Sequence, residues 1–211
     1  TYLPTSNNMN DLLRAYHSYI GEENFQWNRK LKDIDEFEHI AYFEDGEKIH
    51  YKHLISTAPL NHFWKICRHG NCPEFKHKTV YIANYKTENI VGNWLIGIYI
   101  SDPQFPPYRI TVLNNIISME SVKEMTRTEE EIVHYHLGRY FDYSIDTGQK
   151  YAWDTGRIFG FSKEEREKKR DEFKFNDIYL LGRFANWDGK LLMDTTILQG
   201  KEIVDEIWSK K

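Results

Sequence analysis

The residues typical of β-strands are concentrated in the middle of this chain, and that distribution constrains its fold more than any other feature. Strand-like runs occupy 79–85, 94–100 and 109–117, and the stretch 101–107 between the last two contains three prolines that exclude regular structure. Helical patterns lie outside this block, at 10–19, 129–143 and about 195–209. Strands grouped in this way predict an α+β fold with a largely antiparallel or mixed central sheet and flanking helices.

A hairpin signal precedes the central block. Asp45 and Gly46 interrupt an alternation of polar and apolar residues that runs from 31 to 51, which predicts two antiparallel strands. The chain then continues into an apolar segment at 54–57, where Pro59 ends the strand and allows a short helix over 60–67. The charged run at 163–173 predicts a short helix or a solvated loop, and 178–181 predicts a strand.

Composition and charge exclude several classes of function. The chain has 211 residues, of which 40% are hydrophobic, so it can bury a sizeable core. Its net charge of −4 gives no electrostatic signature of nucleic-acid or membrane-surface binding, and no apolar run is long enough to span a bilayer. Cys67 and Cys72 beside His69 lack a fourth ligand, so no metal site is predicted. We expect a reducing, cytoplasmic setting.

The start of the last predicted helix is a candidate anion site. The strand at 178–181 leads into Gly182 and Arg183, and the helix begins near Asp194 and Thr195. A helix start presents unpaired backbone N–H groups and the positive end of the dipole. An ordinary N-cap role for Asp194 and a surface or structural role for Arg183 are the alternatives. Gly200 costs the helix about 1 kcal/mol, which suggests a close approach of a ligand or a strand.

Two separated segments carry a resemblance to a known superfamily. The segments 54–60 and 182–196 together resemble the C-terminal half of the flavin-dependent amine oxidase, protoporphyrinogen oxidase and UDP-galactopyranose mutase superfamily. The resemblance implies FAD as cofactor. The cofactor-binding positions that it implies are Gly182, Arg183, Asp194 and Thr195, with Thr57 and Pro59 near the cofactor as well.

A third segment resembles the substrate domain of the mutase-like branch. There an aromatic residue and an arginine open a strand, as Tyr108 and Arg109 do here, and the arginine meets the substrate diphosphate. A guanidinium suits that role because it offers forked donors and stays charged. Trp94 and Tyr99 are candidates for stacking on a uracil or another flat group, although aromatic residues in strands are commonly core residues. Gly189 departs from the family pattern, which has an aromatic residue there, and no catalytic residue is assigned.

The dinucleotide-binding half of such an enzyme has no counterpart in this sequence. No two glycines are separated by a single residue, so the Gly-x-Gly-x-x-Gly fingerprint cannot be present. We therefore expect FAD to bind only when the missing N-terminal Rossmann domain is supplied. The resemblance implies three parts: a helix and hairpin returning toward the cofactor domain at 1–60, a substrate-binding domain at 61–177, and a cofactor-capping strand and helix at 178–211. A start at Thr1 fits an excised domain.

Three hypotheses about function remain open. The first is the substrate-binding and flavin-capping portion of an FAD-dependent oxidoreductase or sugar-nucleotide mutase-like enzyme, inactive alone, whose ligand is a nucleotide-sugar or another anionic small molecule. The second is a non-catalytic binding or scaffold module that pairs with a partner chain. The third is a sugar or nucleotide binder that uses Trp94, Tyr99 and Arg109 without any flavin.

Overall fold

The computed structural model describes residues 9–67, 73–88 and 95–209. The helices are α1 (Met9–Ile20), α2 (Leu60–Ile66), α3 (Arg127–Leu137), α4 (Lys163–Lys174) and α5 (Met193–Ser209). The strands are β1 (Leu31–Asp35), β2 (Ile40–Phe43), β3 (Lys48–His50), β4 (Leu54–Ser56), β5 (His77–Lys86), β6 (Leu95–Tyr99), β7 (Pro107–Leu113), β8 (Ile116–Ser121), β9 (Gln149–Ile158) and β10 (Ile178–Leu180). Helices and mainly antiparallel strands confirm the α+β prediction.

The chain divides into two compact units. Unit 1 comprises Thr1–Phe25 and Lys78–Arg157, and unit 2 comprises Gln26–His77 and Ile158–Lys211. The three functional parts predicted from sequence, at 1–60, 61–177 and 178–211, follow the family resemblance and stay a prediction. None of the helices in the described ranges is long and apolar enough to cross a bilayer.

Unit 1 is built on a five-stranded sheet with the order β6-β7-β8-β5-β9. Its neighbouring strands from β6 to β5 are antiparallel. Helix α3 packs on one face, where Val133 and Leu137 join Ile110, Val112 and Met119 in a buried cluster. A capping box between Thr126 and Glu129 fixes the start of this helix. The other sheet face therefore carries the alternate side chains of the same strands.

Three features of unit 1 differ from the sequence prediction. The predicted single strand at 109–117 is two strands, because Asn114 and Asn115 form a turn in which Asn114 adopts a φ of 53°. Strand β9 was not predicted at all. Most of its residues are exposed on the edge of the sheet, so its sequence has no apolar alternation to reveal it. Helix α3 also ends at Leu137 rather than at 143.

Unit 2 contains the predicted hairpin. Strands β2 and β3 pair in antiparallel register on either side of Asp45 and Gly46, which confirms the turn prediction. The preceding strand is broken, however, because the Asp35 carboxylate accepts hydrogen bonds from the N–H groups of Phe37 and Glu38 and forms a second turn. The result is a three-stranded antiparallel sheet, β1-β2-β3, instead of two strands.

The rest of unit 2 is a small parallel sheet with helices around it. Strands β4 and β10 pair in parallel, with Ile55 opposite Tyr179. An apolar core surrounds them and includes the fully buried side chains of Leu60, Phe63, Phe173 and Trp187, contributed by α2, α4 and the segment after β10. This core fixes the chain segments that follow β4 and β10, which are the two segments that carry the family resemblance.

Candidate functional site

Gly182 forms a turn at the end of β10 that only glycine adopts without strain. Its φ is 88°, and its N–H donates to the Gln199 Oε1 atom of α5 at 3.0 Å. The Asn186 side-chain amide donates to the Gly182 carbonyl at 2.9 Å and to Gln199 Oε1 at 3.2 Å. Both amides also donate to the carbonyl of Leu180, at 3.2 and 3.3 Å. Gln199, in the second turn of α5, therefore holds the Gly182 turn against this helix. The side-chain amides of Gln199 and Asn186 also bind the Leu180 carbonyl, on the edge of β10 that does not pair with β4.

Arg183 is exposed beside this turn. Its Nη2 atom donates to the Gly189 carbonyl at 2.6 Å, and within the described part of the chain it forms no ion pair. Gly189 lies close to Ile158 of the same unit, since a Cβ on Gly189 would be 3.0 Å from the Ile158 carbonyl oxygen. The guanidinium is thus positioned by one backbone contact while its charge is not neutralised by a carboxylate. That arrangement suits a cation that meets an anionic group from outside the chain.

The start of α5 differs from the predicted cap. The helix begins at Met193, and the Thr195 hydroxyl closes its first turn by accepting from the Leu192 N–H and donating to the Leu192 carbonyl, both at 2.9 Å. The N-cap interpretation of Asp194 is therefore wrong. Asp194 lies inside the first turn, where its carboxylate accepts from the Thr195 N–H at 2.8 Å and interacts favourably with the helix dipole. Both side chains are exposed.

The segment after β4 lies against the segment after β10. Pro59 precedes α2 and accepts from the N–H of Phe63 at 2.9 Å, and the Leu60 N–H donates to the Phe184 carbonyl at 3.0 Å. Thr57, two residues before Pro59, is exposed. The two segments that share the family resemblance are 120 or more residues apart in sequence, yet one backbone hydrogen bond joins them in unit 2.

The parallel sheet of unit 2 has one closed edge and one open edge. In a parallel pair, alternate residues direct both backbone groups to the neighbouring strand. Leu54 donates to Asp177 and Ser56 accepts from Leu181, so Ile55 directs its N–H and C=O away from β10. Among the described strands none pairs with that edge, and the Ile55 side chain is 40% exposed. Parallel sheets are normally covered on both faces and have more strands.

Helix α5 presents an apolar outer face. Met193, Ile197, Val204 and Trp208 lie at helical spacing on one side and are 68%, 63%, 43% and 63% exposed. On a different side of the helix, Ile203 is buried. We call the four exposed residues the outer face of α5. Helix α5 is therefore apolar both on its buried side and on an exposed side.

The predicted substrate residues of unit 1 lie on the sheet face opposite α3. Tyr99 and Arg109 are paired across β6 and β7, and Arg109 forms an ion pair with Glu120 on β8. The Tyr108 hydroxyl donates to the other Glu120 oxygen at 2.8 Å. Burial, followed by this hydrogen bond, raises the pKa of Tyr108 to about 12. Trp94 lies outside the described residues.

Glu120, which contacts both Arg109 and Tyr108, was not predicted from the sequence. It neutralises Arg109, so an anionic ligand at Arg109 has to compete with a carboxylate already in place. The Arg109 Nε atom is buried and has no hydrogen-bond partner in the described structure, which leaves one donor unused. The pairing of Arg109 with Glu120 could have been found from the sequence. A two-residue turn at Asn114 and Asn115 pairs Leu113 with Ile116, and the same register pairs Arg109 with Glu120 four residues further along each strand.

No metal site is found around Cys67 in the part of the chain that the structure describes. Cys67 is buried, and burial, with Glu36 nearby, raises the pKa of its thiol. His69 and Cys72 lie outside the described residues. Within the ranges that the structure describes, no three metal-ligating side chains are grouped.

Comparisons with known proteins identify the fold. No protein-family model matches this sequence, and no curated protein matches it. Among solved structures, reduced UDP-galactopyranose mutase superposes on 94% of this chain with a TM-score of 0.72 and 17% sequence identity. HpxO of Klebsiella pneumoniae, complexed with FAD and uric acid, matches 90% of this chain with a TM-score of 0.47 and 12% identity.

The similarity to the mutase shows the fold alone. This chain covers 51% of the mutase chain, and 53% of HpxO, so it spans about half the length of both proteins. The fold of this chain is therefore similar to that of about half of the mutase. The mutase is one of the enzymes to which the sequence resemblance pointed, and the similarity extends over nearly the whole chain.

Proposed function

We propose that this chain is the substrate-binding and flavin-capping portion of an FAD-dependent oxidoreductase or sugar-nucleotide mutase-like enzyme of the amine oxidase superfamily, and that it is inactive without a dinucleotide-binding domain. The observation that carries the proposal is the junction in unit 2. There the segments after β4 and β10 meet through the Leu60 to Phe184 hydrogen bond, next to an open sheet edge and an exposed arginine.

The residues at this junction fit part of an FAD molecule. Arg183 offers an unneutralised guanidinium to an anionic group, and the exposed Asp194 carboxylate is an acceptor for hydroxyl donors such as those of a ribityl chain. Thr195, Thr57 and Pro59 belong to the adjoining chain segments, and Gly182 forms the turn that precedes Arg183. When bound, the flavin would supply the electron chemistry, while these residues hold and orient it. These residues do not include a glycine-rich turn that could hold the FAD pyrophosphate.

The open edge of β4 and the outer face of α5 support docking of the missing domain. A strand added beside Ile55 would satisfy its backbone groups and extend the parallel sheet, as strand addition does in other complexes. The outer face of α5 offers apolar area whose burial contributes about 25 cal/mol per Å². A Rossmann domain, which is itself a parallel sheet with helices, is the partner that fits both features.

Arg109 is the residue that we propose for the anionic part of a nucleotide-sugar or a similar substrate, with Tyr108 and Tyr99 beside it. Because Glu120 already neutralises Arg109, the ligand has to displace that carboxylate. Trp94 stays a predicted stacking residue. We also propose a reducing, cytoplasmic setting, in keeping with the unpaired thiol of Cys67.

Flavin retention tests the proposal. The chain is mixed with free FAD, alone and together with a candidate dinucleotide-binding domain. Gel filtration then removes unbound flavin. We expect the visible absorbance of FAD to stay only with the mixture. Arg183→Ala should lower the retained flavin at least fivefold, or about 1 kcal/mol, whereas Lys190→Ala, a nearby exposed cation, should leave it unchanged.

The exposed apolar surface favours a second candidate function, a non-catalytic module that pairs with a partner chain. The outer face of α5 is equally suited to a partner that carries no flavin. The two candidates differ in one result. A stable complex with the supplied domain that never retains FAD supports the module, and FAD retained by the chain alone contradicts both.

A further inference from the structure

Unit 1 contains a cleft that the proposed flavin and substrate sites do not use. Its volume is about 210 Å³, and it lies between β5, β9 and the segment that leads into α3. Tyr81, Met125, Tyr151 and Ala152 supply an apolar and aromatic lining. An engineered cavity of about 150 Å³ accommodates benzene, so this cleft has room for one ring with a short side chain.

A buried carboxylate lies in the wall of the cleft. Glu130 is 3% exposed. Its Oε1 atom accepts from the Tyr85 hydroxyl and is contacted by the Lys150 ammonium, both at 2.8 Å. In the described structure no partner contacts the Oε2 atom. Burial and the hydrogen bond to Glu130 raise the pKa of Tyr85, so Tyr85 remains a donor at neutral pH. Glu130 therefore has an unused acceptor beside the apolar and aromatic part of the lining.

The charges around the cleft favour a cation. Glu124 and Glu130 are both in the lining, and Lys150 is the one cation there. Two carboxylates against one ammonium leave a net charge of −1. Lys150 itself is 44% exposed, so it can move aside into solvent when another donor reaches Glu130. A carboxylate that accepts from a charged donor forms a stronger hydrogen bond than one that accepts from a neutral donor.

We propose that this cleft binds a small organic cation, with an aromatic or apolar body between Tyr81 and Tyr151 and an ammonium that donates to Glu130. The site lies entirely within unit 1 and needs neither FAD nor a partner domain. It is therefore independent of the proposed function, and either proposal can fail without the other.

Isothermal titration calorimetry with three matched probes tests the chemistry of the ligand. They are 2-phenylethylammonium, the neutral 2-phenylethanol and the anionic 3-phenylpropanoate. We expect saturable one-to-one binding of the cation, at least tenfold weaker binding of the alcohol, and no binding of the carboxylate. Equal or tighter binding of the carboxylate, or no saturable binding of the cation, overturns the proposal.

Variants locate the binding. Ala152→Phe fills the cleft from an exposed position and should weaken binding of 2-phenylethylammonium at least tenfold, whereas Lys86→Phe adds the same ring to β5 outside the lining and should have no effect. Lys150→Met removes the internal competitor and should tighten binding about tenfold. Circular dichroism confirms that each variant is folded. Binding that is unaffected by Ala152→Phe, or weakened by Lys150→Met, contradicts the assignment.

Discussion

Alanine at Gly182 and alanine at Gly200 should change the stability of unit 2 in opposite directions. Both glycines lie at the junction of β10 and α5, and neither position is short of space. A Cβ on Gly182 would be 3.5 Å from the Thr196 methyl group, and a Cβ on Gly200 would be 3.7 Å from the Leu181 methyl groups. Backbone conformation therefore decides the sign of each change.

The magnitudes follow from that conformation. Gly182 has a φ of 88°, which an L-residue adopts at a cost of about 1–2 kcal/mol. Gly200 lies inside α5, where alanine is favoured over glycine by about 1 kcal/mol. Gly182→Ala should thus lower the free energy of unfolding, Gly200→Ala should raise it, and the two variants should differ by about 2–3 kcal/mol.

Urea unfolding monitored by tryptophan fluorescence measures both changes, because Trp187 is fully buried in unit 2. The slope of the unfolding free energy against urea should be the same for both variants and the parent chain. Gly182→Ala as stable as the parent would refute the claim that the turn needs glycine. A loss of stability in Gly200→Ala would show that the helix and β10 approach more closely than the structure indicates.

Three further predictions concern caps and charges. Thr126→Ala should cost about 1 kcal/mol by removing the cap of α3, while Thr128→Ala in the same turn should cost little in urea unfolding. The backbone hydrogen bond from Ser162 lowers the pKa of Glu165, so the stability advantage over Glu165→Gln should be complete at neutral pH and disappear as pH falls below about 4. Glu120→Gln should lower the pKa of Tyr108 from about 12 in an ultraviolet titration, and an unchanged value contradicts their hydrogen bond.

Much of the fold was predictable from local chemistry. The Asp45-Gly46 turn, the helix after Pro59 and the strand before Gly182 each depend on residues within a few positions of one another. Strand β9 was not predictable, because an exposed edge strand has no apolar alternation. The turn at Asp35 was missed because its side chain, rather than a glycine or proline, breaks the strand.

The candidate site was predictable in position but not in its pairings. Gly182 and Arg183 lie where the resemblance implies, at the end of a short strand and beside the last helix. The hydrogen bonds that involve Gln199 connect residues 13 to 19 positions apart, and sequence alone gives no reason to join them. The buried Glu130 likewise depends on partners from two distant strands, Tyr85 and Lys150.

Amide hydrogen exchange at Ile55 tests the central proposal most directly, since a docked dinucleotide-binding domain has to cover the open edge of β4. We expect rapid exchange of the Ile55 N–H in the chain alone and strong protection in the flavin-containing complex. The Leu54 N–H, already bonded to Asp177, serves as the internal reference and should be protected in both. An Ile55 amide that still exchanges rapidly in a complex that retains FAD would contradict the proposal.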